Sequence, residues 1–141
     1  MKICIETEVK APLGTVWDAW VTPKDITSWN FAVDEWWCPR VELTLEVGGK
    51  FNYRMEARDG STGFDFEGTF TKLEPRKYVH FQLDDSRVVK VEFIEAENGV
   101  RILETFDAED ENSADQQKQG WQSILNNFKK HVEKTATDKR L

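Results

Sequence analysis

Apolar and polar residues alternate from the start of the chain. Ile3, Ile5 and Val9 fall on one face of the segment ending at Val9, the two-residue period of a half-buried strand. Ala11-Pro12 ends it. Leu13 to Val21 then changes period: Val16, Trp17 and Trp20 group as they would on a short helix. Thr22-Pro23 starts a second short helix, with Thr22 as the cap and Pro23 in the first turn, ending near Trp29. From Trp29 to Arg40 no period holds. This stretch carries Trp29, Phe31, Trp36 and Trp37 and is broken by Pro39, and it reads as an aromatic loop folded over something apolar.

From Val41 onward the alternation returns and repeats. Val41, Leu43, Leu45 and Val47 form one run, with Gly48-Gly49 as its turn. Phe51, Tyr53 and Met55 form the next, closed by Asp59-Gly60. Phe64, Phe66, Gly68 and Phe70 share one face of a strand that Pro75 closes. Val79, Phe81 and Leu83 follow, then Val89, Val91 and Phe93, a turn at Asn98-Gly99, and a last strand from Val100 to Phe106. The final element is a long helix. Ser113 and Gln116 make a capping-box pair, and Asp115 lies in the first turn, where the helix dipole favours a negative charge. Trp121, Ile124, Leu125, Phe128 and Val132 form one apolar stripe, which Gln117 and Ala114 continue toward the N-terminus.

The predicted class is α+β, with six to seven antiparallel strands and one long C-terminal helix. Hairpin-linked strands with one apolar face and a helix with one apolar stripe must bury each other. A sheet of that size twists and curls. Curled around one helix, it encloses an apolar cavity, and the two short helices and the aromatic loop close the open end.

At 141 residues, the chain suits one domain spanning 1–141. Its formal charge of -7 argues against a nucleic-acid footprint or an anionic membrane as partner. No stretch approaches the ~20 apolar residues of a membrane span, and the first residues do not resemble a signal peptide. Cys4 and Cys38 offer no framework of bridges, so a cytoplasmic protein with free thiols is expected.

Within this frame the candidate chemistry is sparse. If Phe106 faces inward, so do Val100, Ile102 and Glu104. Glu104 is then a carboxyl on an apolar face, its pKa raised by desolvation, which suits a general acid or base. Its structural alternative is a hydrogen bond to Arg54, to a tryptophan indole or to the long helix. A one-residue slip of register would instead expose it. Gln117, on the inward stripe, needs a polar partner, either a ligand atom or a neighbour such as Glu104. Trp29, Phe31 and Trp37 from the loop, Phe51, Tyr53, Phe66, Phe81 and Phe106 from the sheet, and Trp121 from the helix are candidate cavity walls. His80 is expected to point outward, and His131, near the helix end, is expected to be solvated or matched to the helix dipole. No metal-ligand spacing, phosphate loop or nucleophile elbow appears, and no cofactor is expected. Gly120, inside a helix, suggests a close approach of sheet or ligand.

Three pieces, APLGTVWDAWVTPKDITSW, ELTLEVGGKFNYRMEA, and ETFDAED followed by QQKQGWQSILNNFKKHVE, together resemble the AHSA-type members of the SRPBCC (START-like, birch-pollen-allergen-like) superfamily. AHSA denotes homologues of the activator of the heat-shock protein 90 ATPase. The resemblance runs from Glu6 to Glu133. It implies the helix-grip fold, whose members hold lipids, sterols, polyketides or hormones in the cavity or catalyse cyclisation or hydrolysis. The function expected is binding of a small apolar or aromatic molecule. The alternative is a cyclase- or hydrolase-like enzyme using Glu104. Regulation of a chaperone ATPase ranks below both, because the eukaryotic activators carry an additional N-terminal domain. A homodimer is left open.

Overall fold

A computed structural model describes residues 1–139. The elements run β1 (Lys2–Val9), α1 (Leu13–Val21), α2 (Pro23–Trp29), β2 (Trp36–Leu43), β3 (Lys50–Ala57), β4 (Gly63–Glu74), β5 (Tyr78–Leu83), β6 (Val88–Ala96), β7 (Gly99–Asp107) and α3 (Ala114–Lys139). The seven strands form one sheet in the order β1-β7-β6-β5-β4-β3-β2, antiparallel throughout. Consecutive strands from β2 to β7 are simple neighbours. Only β1 joins out of sequence, pairing with β7.

The concave face carries the apolar residues that alternation assigned to it. Ile5, Val79, Val89, Val91, Val100, Ile102 and Phe106 are each at most 2% exposed. Helix α3 lays Leu125, Phe128 and Val132 against them, each at most 1% exposed. Each such side chain contributes about 1.5–3 kcal/mol by leaving water. The predicted capping box forms: the Gln116 backbone N–H donates to Ser113 Oγ at 3.1 Å, and the Ser113 N–H donates to Gln116 Oε1 at 3.3 Å.

Helix α3 is fastened to one side of the sheet. The Gln122 amide donates to the Glu6 carbonyl at 3.1 Å, and the Lys129 ammonium donates to the Glu8 carbonyl. Glu133 accepts from the Lys10 backbone N–H at 2.8 Å. On its other flank, His131 Nε2 lies 2.9 Å from the Asp25 carboxylate of α2, so this histidine is partnered rather than free in solvent. The Asn127 amide donates to the Phe31 carbonyl. The helix thus sits on β1, α1 and α2 and parts from the sheet toward β3 and β4.

Three local expectations change. Residues Trp36 to Arg40 are strand, not loop. The period fails there because a bulge sets Cys38 and Pro39 against one residue of β3, between the pairs Trp37–Glu56 and Arg40–Arg54. Pro39 is tolerated because β2 is an edge strand. The β2–β3 connection is longer than a two-residue turn. Strand β2 ends at Leu43, and Val47 is 64% exposed. The loop folds on itself through Thr44 N–H to Lys50 O and Gly49 N–H to Glu46 O, and a Cβ at Gly49 would overlap the Thr44 carbonyl. Thr22 makes no side-chain cap, although Pro23 does occupy the first turn of α2.

Candidate functional site

A pocket of about 280 Å³ lies where α3 parts from the sheet. Helices α1 and α2 contribute Trp20 and Trp29, and Asn30 follows directly after α2. Strand β3 contributes Tyr53 and Met55, strand β4 Phe64 and Phe66, and strand β5 Phe81. Strand β7 presents Glu104, the β5–β6 turn Arg87, and α3 closes the space with Trp121, Ile124 and Leu125. The two-residue strand period stacks Tyr53 opposite Phe66, their rings 6.1 Å apart. Phe64, which is half exposed, stands at the solvent side.

Several of these rings are fixed from behind. Trp29 is 3% exposed, its indole N–H donates to the Ala19 carbonyl at 3.0 Å, and its ring meets Phe128 edge-on. Trp121 lies flat on Phe106, with centroids 4.0 Å apart and a 10° interplanar angle. Phe66 meets the Trp121 ring edge-on at 6.1 Å. Stacked and edge-on contacts are the preferred geometries of aromatic pairs, so these wall rings are packed against a second layer of rings.

Glu104 is the unusual polar group. It is 6% exposed and stands between Ile5 and Val91 of the neighbouring strands. Its carboxyl pKa is pushed up to about 8 from an ordinary 4.5. Burial is the sole cause, with no hydrogen bond or nearby charge from the described residues opposing it. None of the alternatives raised for it forms. Arg54 pairs instead with Glu56 at 3.1 Å and Asp65 at 3.5 Å. The Tyr53 phenol shares the pocket, and its pKa is raised first by burial and then by the Cys38 thiol and the Glu104 carboxyl. Cys38 is buried, which raises its own pKa, with the Asn30 amide beside it opposing that shift. Arg87 reaches the pocket wall but is held by Asp85 through a 2.8 Å ion pair.

Of the residues expected to line a cavity, Trp29, Tyr53, Phe66, Phe81, Trp121 and Glu104 meet at this pocket. Five others do not. Trp37 is 40% exposed and faces outward, its ring 5.8 Å from the Arg58 guanidinium, because the bulge turns it away from the concave face. Phe31 is half-buried beside the α3 contact and does not reach the pocket. Phe51 borders a separate gap of about 10 Å³, room for a single water at most. Phe106 is the floor beneath Trp121 rather than a wall. Gln117 is satisfied by the chain itself. Its Oε1 accepts from the Glu109 N–H at 2.8 Å, and its Nε2 donates to the carbonyls of Glu109 and Asn112 at 3.0 and 2.8 Å. It therefore pins the 109–112 loop to α3 and leaves Glu104 alone.

Trp20, Asn30, Met55, Phe64, Arg87, Ile124 and Leu125 also line the pocket, outside the expected set of wall residues. Met55 shares a strand face with Tyr53, so alternation alone was signal enough for it. Asn30 and Arg87 lie in turns, where no period marks a direction. Among the described residues no group of three or more His, Cys, Asp or Glu side chains gathers to hold a metal ion, and no helix is long and apolar enough to cross a membrane.

A curled antiparallel sheet gripping one long helix over an aromatic pocket defines the class of the protein as helix-grip. Residues 10–133 match the family described as Activator of Hsp90 ATPase homolog 1-like protein, and the chain belongs to that family. The solution structure of the AHSA1-like protein from Aeromonas hydrophila is 44% identical, with 96% of this chain and 94% of that one covered and a TM-score of 0.91. A protein from Cytophaga hutchinsonii is 36% identical over 95% of this chain and 93% of its own, with a TM-score of 0.82. A protein from Chromobacterium violaceum, 20% identical, shares the fold over 94% of this chain and 98% of its own at a TM-score of 0.85. No curated protein matches the chain in sequence.

Proposed function

We propose that the protein binds a small, flat, largely apolar molecule in the pocket between the sheet and α3. The observation that carries this reading is a space of about 280 Å³ whose aromatic walls are held rigid by a second layer of rings. Cores pack to crystal-like density, so a cavity of that size forgoes dispersion contacts that a ligand restores. Ligand sites of this kind are largely pre-formed and apolar, with a few polar groups that fix orientation. Native mass spectrometry of protein purified from its own host, beside an Ile124→Trp variant that fills the space, tests the reading. A small molecule retained by the parent and lost from the variant supports it. Identical spectra for the two, with no thermal shift from any aromatic probe, sink it.

A second reading has its own observation. A carboxyl whose pKa is pushed up to about 8 keeps its proton at neutral pH, the condition for a general acid, and Tyr53 beside it is a second hydrogen-bonding group. In this reading Glu104 donates to an oxygen of the bound molecule and recovers its proton from water. A Glu104→Gln variant with unchanged turnover of an identified substrate ends it.

A further inference from the structure

The pocket combines two features that hydrocarbon binding does not need. Its walls present the faces and edges of Trp29, Tyr53, Phe66, Phe81 and Trp121, and Glu104 opens into the same space with no partner among the described residues. A neutral hydrocarbon would leave that carboxyl unsatisfied in a dry site, which is costly. A carboxylic acid would bring a second acidic group beside it. Aromatic faces together with one buried carboxylate form the complement of an organic ammonium group. The ring quadrupoles attract the cation, and the carboxylate neutralises it and accepts its hydrogen bonds.

We propose that the preferred ligand class is a small aromatic amine, bound with its protonated nitrogen on the Glu104 carboxylate and its ring system between Tyr53, Phe66 and Trp121. The inference rests on the ligand-binding reading above. The charged surroundings agree with it. Titratable groups on the other elements that border the pocket are the Tyr53 phenol on β3, the Cys38 thiol behind it on β2, and Arg87 on the β5–β6 turn. Arg87 is already neutralised by Asp85. The α1, α2 and α3 walls offer only Trp20, Trp29, Asn30, Trp121, Ile124 and Leu125, with no charge to compete for Glu104. The net charge of -7 favours the approach of a cation.

Proton balance follows from the pairing. Near neutral pH the empty site holds a protonated Glu104. Binding of an ammonium ion converts it to carboxylate, so close to one proton leaves to solvent for each amine bound. Affinity then rises about tenfold per pH unit until the free carboxyl is itself ionised.

Three matched probes decide the matter: naphthylmethylamine, naphthylmethanol and naphthoic acid. Isothermal titration calorimetry is run in phosphate and in Tris, whose different ionisation heats report proton release. The parent protein is expected to bind the amine at least about tenfold more tightly than the alcohol. It is expected to release close to one proton for the amine and none for the alcohol. In Glu104→Gln the amine loses its advantage while the alcohol keeps its affinity within about threefold. Alcohol or acid binding as tightly as the amine overturns the amine preference and leaves the ligand-binding reading standing. Binding of none of the three overturns both. Should the variant fail to fold, proton release in the parent decides alone: none on amine binding refutes the pairing.

Discussion

Glu104→Gln should remove a pH slope in stability that the buried carboxyl imposes on the parent protein. The unfolded chain ionises this residue at an ordinary 4.5, whereas the folded protein holds the proton to about 8. Between those values the folded state carries the extra proton. Stability therefore falls as pH rises, by about 1.4 kcal/mol per pH unit for this one group. Below the window the residue is neutral in both states and imposes no penalty. Above about pH 8 the penalty is complete, on the order of 5 kcal/mol in total. Glutamine has the same shape and no titration, so its folded state escapes the slope. Burying the amide imposes a cost of its own, but that cost is constant with pH and cancels in the comparison. Urea unfolding of parent and variant, followed by tryptophan fluorescence at several pH values from about 5 to 8, gives the difference in unfolding free energy. That difference should climb by about 3–4 kcal/mol in favour of the variant across the range. Every other titrating group contributes equally to both proteins. Parallel curves would refute the assignment of Glu104 as a desolvated, unpartnered carboxyl.

Other substitutions separate supporting roles from wall roles. Gln117→Ala removes all three hydrogen bonds to the 109–112 loop and should cost about 1–3 kcal/mol in chemical denaturation. Because Gln117 does not line the pocket, probe affinity should hold. Phe106→Ala withdraws a ring 1% exposed from under Trp121; it should cost about 3–5 kcal/mol and loosen the indole, read as a red shift in tryptophan emission. Gly120→Ala meets no atom within 4 Å of the added Cβ, so it should raise stability by about 0.5–1 kcal/mol through helix propensity, visible as a higher midpoint of thermal unfolding.

Which of these features could be read from the residues alone follows from where a regular period holds. Helix α3 was legible from its cap to its last apolar turn, because Ser113, Gln116 and the stripe from Trp121 to Val132 report one structure at three levels. The inward direction of Glu104 was legible because β7 has no bulge: every second residue from Val100 to Phe106 is buried. Strand β2 was not, since its bulge breaks the alternation between Cys38 and Arg40 and makes a strand look like a loop. The partners of Gln117 were not legible for a different reason. Its place on the inward stripe implies a need for partners, but loop backbone groups can satisfy a buried amide as well as a ligand can, and sequence spacing does not say where a loop returns. The same limit hid Gly120, whose open surroundings show neither a sheet nor a side chain pressing on the helix. Strand face alone groups Phe51 and Phe106 with Tyr53 and Phe66, although they pack behind or beside the space.

The single out-of-sequence pairing has a consequence for how the chain is made. Strand β1 joins the sheet only through β7, and the Lys2–Asp107 ion pair spans 105 positions. During synthesis β1 emerges before its partner strand β7 and the helix α3 that rests on it, with β2 to β6 in between. The β2–β7 meander can pair neighbour by neighbour as it appears, while β1 and α3 must wait for each other. Closing so long a loop is slow relative to hairpin formation. The pocket is therefore a late product of folding. Until α3 docks on β1, the aromatic face is open to other nascent chains, and the step most exposed to aggregation is the same step that creates the pocket.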